Sequence, residues 1–283
     1  FWIVLTTKES DAKREPKHLG FSQFMIVSAS EKELVMQKAE KKDFIKILSY
    51  LDRDPYFNIF MISEILNKES ESFQIFCSFE DDLIVGVLLK SGRHYNLFFN
   101  KRPAIFDLSD KLKYEISETP NAIVAGEQKQ VETILESLKP EIRKTIVSEF
   151  SICQELLNAN SIDYLNIQET SIEDVEEVSE LLASLPEFGS ANAGTIRDEI
   201  ETGFRKTCHI RVNGKIASTA SCVAETDKAG MIIAVGTAES EEFRRRGYAT
   251  ACVSFLVERL LKKGKTACIF YDNPVAGTVY KRI

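Results

Sequence analysis

Met231–Thr237 (MIIAVGT), Arg244–Thr250 (RRRGYAT) and Asn273–Tyr280 (NPVAGTVY) are the stretches on which the reading of this chain turns. The first is an apolar run of strand length. An acidic loop, Ala238–Phe243 (AESEEF), leads from it into the three arginines. An amphipathic helix is expected over Arg246–Lys263, ended by Gly264, and Thr266–Phe270 (TACIF) returns as a strand. Asn273 and Pro274 then open a last helix, since Asn caps and Pro suits the first turn.

A strand running through a basic, glycine-containing turn into a helix makes an anion site. The first amides of a helix have no intrahelical partner, and the helix dipole adds partial positive charge there. Gly247 permits close approach of the backbone, and Arg244, Arg245 and Arg246 add full charges. A pyrophosphate is the natural guest.

Arg244-x-x-Gly247-x-Ala249 resembles the acetyl-CoA signature of the GNAT superfamily of N-acetyltransferases, and Asn273-x-x-Ala276-x-x-x-Tyr280 resembles its second signature. The resemblance covers Leu165–Ile283 by motif and the first half by architecture only. It implies acetyl-CoA as cosubstrate, held by the backbone of Val235, Gly236 and Thr237 and by the loop Arg244, Arg245, Arg246, Gly247, Tyr248, Ala249 and Thr250. Asn273 is implied near the thioester end, and Tyr280 as general acid toward the departing thiolate. Such enzymes also need a base for the amine, for which Glu225 is the candidate. No metal is implied.

Working outward, Tyr164–Gln168 reads as a strand and Thr170 or Ser171 as the cap of a helix with its apolar face at Val175, Val178, Leu181, Leu182 and Leu185. Asn213-Gly214 marks a hairpin between Cys208–Val212 and Lys215–Ala224. Upstream, a strand over 34–39, helices near 43–51 and 58–67, a hairpin over 73–89 and further strands and helices to Cys153 form a block of similar size. The expected fold is α+β: two GNAT-like domains, 25–158 and 159–283, each a mixed, mostly antiparallel sheet flanked by helices. The first lacks cofactor motifs, Gly126–Lys129 being its nearest approach to a glycine loop. After Tyr280 the family pattern continues into a further strand pair, whereas this sequence reads Lys281-Arg282-Ile283. Two readings stay open: the orphan apolar run Phe1–Thr6 completes the second sheet beside Thr266–Phe270, or that end is truncated or partly disordered.

Acidic residues outnumber basic ones, 43 to 36, which argues against a nucleic-acid or anionic-membrane partner. No apolar run reaches the roughly 20 residues that span a bilayer. The six cysteines include no Cys-x-x-Cys pair, so they read as small buried hydrophobes in a reducing cytoplasm. The expected function is acetyl transfer to a primary amine of a small molecule or peptide. Two other readings share the fold: an acetyl-CoA sensor without turnover, and an aminoacyl transferase, against which the acidic balance counts.

Overall fold

The computed structural model describes residues 2–8, 34–67, 72–99, 106–138, 140–156, 166–189 and 191–283. It is an α+β protein with two compact units, Phe1–Arg53 with Lys68–Glu149, and Asp54–Asn67 with Phe150–Ile283. In chain order the elements of the first stretch are β1 (Trp2–Lys8), β2 (Leu34–Val35), β3 (Gln37–Lys38), α1 (Phe44–Leu51), α2 (Ile59–Asn67), β4 (Phe73–Glu80), β5 (Leu83–Ser91) and β6 (His94–Phe99). They continue with β7 (Phe106–Asp107), α3 (Asp110–Glu118), β8 (Ile123–Glu127), α4 (Gln128–Leu138) and β9 (Ile142–Cys153).

In the first unit the strands run in the order β3-β4-β5-β6-β8-β1-β9, and β2 pairs separately with β7. β4 and β5 form the expected hairpin, turned at Asp81 and Asp82 with φ of 48° and 63°. The helices bury Leu112, Ile116, Val131 and Ile134 against Leu88, Tyr95 and Leu97. Each such side chain contributes roughly 1.5–3 kcal/mol on leaving water.

The amino-terminal run does form a strand, but beside different partners from those expected. β1 pairs in parallel with β8 (Ile3 with Ile123) on one side and with β9 (Val4 with Thr145) on the other. It does not lie beside Thr266–Tyr271. The crossover from β8 through α4 to the parallel β9 skips one strand position, and β1 fills that gap. An apolar run announces a strand without naming its neighbour, because the backbone hydrogen bonds that pair strands are the same for every sequence.

The second unit holds β10 (Ile167–Glu169), α5 (Val175–Ala183), α6 (Ala193–Glu201), β11 (Lys206–Val212), β12 (Lys215–Val223) and β13 (Ala229–Thr237). It ends with α7 (Tyr248–Lys262), β14 (Thr266–Tyr271) and α8 (Pro274–Tyr280). Its strands run in the order β10-β11-β12-β13-β14. Asn213 and Gly214 turn the β11–β12 hairpin with φ of 50° and 78°, the left-handed pair that matches strand twist. α7 packs Cys252, Val253, Leu256, Val257 and Leu260 onto Cys208, Ala220, Cys222 and Ile232. α5 brings Leu181 and Leu182, and the turn after it Leu185, to Gly236, where an added Cβ would lie 2.6 Å from Leu185 Cδ1. The segment Asp54–Asn67 supplies Ile59 to a core with Met231 and Cys268. All six cysteines are free thiols, five of them buried.

Candidate functional site

The parallel pairing of β13 with β14 runs from Ala229/Thr266 to Ile232/Ile269 and stops there, so the two strands part. At the same level β13 bulges. Thr219 pairs with Gly236 and Ser221 with Ile233, leaving Ala234 and Val235 opposite Ala220 alone, and Ala234 takes a φ of +50°. Beyond the bulge the Ala238 amide donates to Ala217 O at 2.9 Å. The antiparallel alternation then makes Ser218/Thr237 a non-hydrogen-bonded pair, with the Thr237 N–H and C=O turned away from β12. Those groups open toward the gap that β14 has left.

The chain next turns through Phe243, which is buried and anchors the loop, while the Arg244 amide donates to Ser240 O. Arg244, Arg245, Arg246 and Gly247 are exposed, and Tyr248, Ala249 and Thr250 are half-buried in the first turn of α7. Arg245 and Gly247 both take left-handed φ, 60° and 81°, and Gly247 is the N-cap of α7. A glycine cap brings no side-chain acceptor to the first amides, so they stay available to a ligand. No acidic residue stands in that first turn. Arg244 pairs with Glu239 at 3.0 Å, an exposed contact that a phosphate can displace at small cost.

Asn273 caps α8, its Oδ1 accepting from the Val275 amide at 2.9 Å. Its side-chain NH2 remains a donor. Tyr280 packs against Tyr271, ring centroids 5.3 Å apart, and lines a mostly apolar cavity of about 40 Å³ with Ile232, Ile269, Val253 and Val257. Ile232 and Ile269 are the last paired residues before β13 and β14 separate, and both line the cavity that Tyr280 lines. Burial pushes its pKa up to about 12. It is a proton donor at neutral pH, not a base.

Glu225 belongs elsewhere. It follows β12 at the end where β13 begins, and it binds Lys206, Lys263 and Lys265 at 2.5, 2.9 and 2.6 Å. Lys263 is at the carboxy-terminal end of α7, whereas the arginine loop is at its amino-terminal end. Fifteen helical residues, roughly 22 Å, separate the two. Burial works to raise the Glu225 pKa, but the three ammonium groups outweigh it and hold the carboxyl at about 2. The carboxylate expected as the base therefore lies at the opposite end of α7 from the arginine loop, held by three lysines. His209 is likewise structural, fully buried with Nδ1 3.0 Å from Thr170 Oγ1.

One residue of the site went unread in the sequence. Ser218 is fully buried, and its hydroxyl donates to Gly236 O at 2.8 Å. The available signal was the polar pair Ser218-Thr219 inside the mostly apolar IASTASCVA. Among the described residues, no cluster of three or more His, Cys, Asp or Glu side chains could hold a metal ion, and no helix is long and apolar enough to cross a membrane.

Residues 175–283 match the model of the acetyltransferase (GNAT) family. A GCN5-related N-acetyltransferase-like protein from Streptococcus suis 89/1591 is similar at 15% identity, over 86% of this chain and 94% of that one, with a TM-score of 0.50. A GNAT-family acetyltransferase from Colwellia psychrerythraea matches at 15% identity over 87% and 94%, TM-score 0.49. Glucosamine-6-phosphate N-acetyltransferase from Arabidopsis thaliana matches at 25% identity over 41% of this chain and 86% of its own, TM-score 0.33. None of the curated proteins compared matches the chain. The Streptococcus likeness shows a shared fold across most of both chains. Residues 175–283 are accordingly a domain of the acetyltransferase (GNAT) family.

Proposed function

We propose that this domain acetylates a primary amine of a small molecule or peptide, with acetyl-CoA as the donor. The observation that carries the proposal is the parting of β13 from β14 directly upstream of an arginine-bearing helix start. A long ligand with amides along its arm and a pyrophosphate at one end fits that arrangement. The outward backbone groups of Val235 and Thr237 would take the arm, with Gly236 keeping the strand close under α5. Arg244, Arg245, Arg246 and the amides of Gly247 to Thr250 would take the phosphates. When bound, acetyl-CoA supplies an activated acyl thioester.

Asn273, with its free NH2, would orient the thioester end. Tyr280 keeps its proton at neutral pH and stands ready to give it to the departing sulfur. With Glu225 committed to three lysines, the proton of the incoming amine is left to water.

Titration calorimetry with acetyl-CoA and with coenzyme A tests the proposal. Wild type is expected to bind both at micromolar levels, and an Arg244→Ala/Arg246→Ala variant to lose at least about tenfold, one charge-assisted hydrogen bond being worth roughly 1.5–3 kcal/mol. Wild type that binds neither ligand would refute the reading. A second reading, binding without turnover, is favoured by the displacement of Glu225 from the gap. A screen of amines for thiol release from acetyl-CoA separates the two.

A further inference from the structure

The hydroxyls of Ser218 and Thr237 lie 3.0 Å apart, and either oxygen could donate across that contact taken alone. The surroundings decide the direction. Ser218 Oγ is also 2.8 Å from Gly236 O, and a carbonyl oxygen can only accept. The single proton of Ser218 is therefore spent on Gly236. Ser218 must accept from Thr237, and the Thr237 proton is spent in turn. What Thr237 Oγ1 has left is lone pairs.

Ser218 and Thr237 are cross-strand partners on one face of the sheet. α7 covers that face, with Cys252 Sγ 3.9 Å from Ser218 O. Ser218 is fully buried, so water does not compete for its proton, whereas Thr237 is half-buried at the edge of the gap.

We propose that Ser218 is a positioning residue that fixes the Thr237 hydroxyl as a hydrogen-bond acceptor, aimed at an amide N–H of the pantetheine arm. The proposal rests on the acetyl-CoA reading of the same site. A ligand arm presenting only acceptors at that point would meet lone pairs and be disfavoured, so the pair selects by polarity as well as by shape.

The test compares coenzyme A with 3′-phospho-ADP, its nucleotide portion without the arm, by calorimetry on folded variants checked by thermal unfolding. Thr237→Val should weaken coenzyme A about tenfold and leave 3′-phospho-ADP unchanged, since only the arm reaches the gap. Thr237→Ser should bind like wild type. Ser218→Ala should weaken coenzyme A about threefold, by freeing the Thr237 hydroxyl to rotate. The double variant Ser218→Ala/Thr237→Val should be no weaker than Thr237→Val alone, because the serine acts only through the threonine. Equal losses for both ligands, or additive losses in the double variant, overturn the inference. So does a wild type that binds 3′-phospho-ADP as tightly as coenzyme A. Wild type binding neither removes the acetyl-CoA reading as well, which keeps the two failures apart.

Discussion

In the first unit β6 and β8 pair in parallel from His94/Ile123 to Asn96/Ala125 and then part, as β13 and β14 do after Ile232/Ile269. In each unit a helix connects the two parallel strands and another follows the second of them. The difference lies in what occupies the gap. Beyond the pairing of β6, the backbone N–H and C=O of Phe99 are both taken by the side chain of Gln130 from α4, at 3.1 and 2.8 Å. Gln130 is itself buried there. The start of α3 is closed as well, with Ser109 Oγ accepting from the Leu112 amide at 3.3 Å and Asp110 in the first turn. A carboxylate at a helix start already satisfies the dipole and repels an anion.

In the second unit the corresponding backbone groups of Thr237 face an open gap, and α7 starts on a bare glycine beside three arginines. One unit has completed its hydrogen bonds with its own side chains, whereas in the other the proposed function gives them to a ligand. A binding site in this fold is thus a matter of which backbone groups are left unfilled.

The largest effect expected from this contrast is on turnover. Tyr280→Phe should lower kcat about 100-fold, the lower range for loss of a general acid, with coenzyme A affinity unchanged. Steady-state kinetics with any accepted amine, paired with calorimetry, would show it; an unchanged kcat would make Tyr280 a packing aromatic only.

Next, Gln130→Ala should cost about 2 kcal/mol of stability, by stranding the buried N–H and C=O of Phe99. Denaturant unfolding measures that cost. Coenzyme A binding should not move, and a variant whose affinity falls with its stability would break the separation drawn between the two gaps.

The smallest effect concerns Glu225. Its folded pKa of about 2 lies below the ordinary 4.5. Its contribution is present above pH 4.5 and is lost as the pH falls from there toward 2. Lys206 and Lys263 are partly exposed, which screens the pairs, so Glu225→Gln should cost about 1 kcal/mol at neutral pH. It should also flatten the acid limb of the stability profile. Turnover at pH 7 should persist, and its loss would restore Glu225 to the chemistry.

Much of the second unit was legible because local rules write it directly. Asn213-Gly214 demands left-handed backbone and so a tight hairpin; Gly247 does the same at the helix start, and Asn273-Pro274 signals a cap. Gln130 could not be read as a plug, since nothing in its neighbourhood says that α4 will lay it against Phe99, thirty-one residues earlier. The position of Glu225 was hidden for a related reason. Its place after a strand suggested the site, but only the register of β12 on β13 shows which end of the sheet it occupies.

The sequence by itself determined the α+β class, the arginine loop and the Asn213-Gly214 turn, because these depend on residues a few positions apart. The tertiary structure alone decided that β1 lies between β8 and β9, that Glu225 belongs to the lysines, and that the hydroxyls of Ser218 and Thr237 meet. Those outcomes depend on strand order and register. Backbone pairing is chemically uniform along the chain, so only the packed whole selects among the partners it allows.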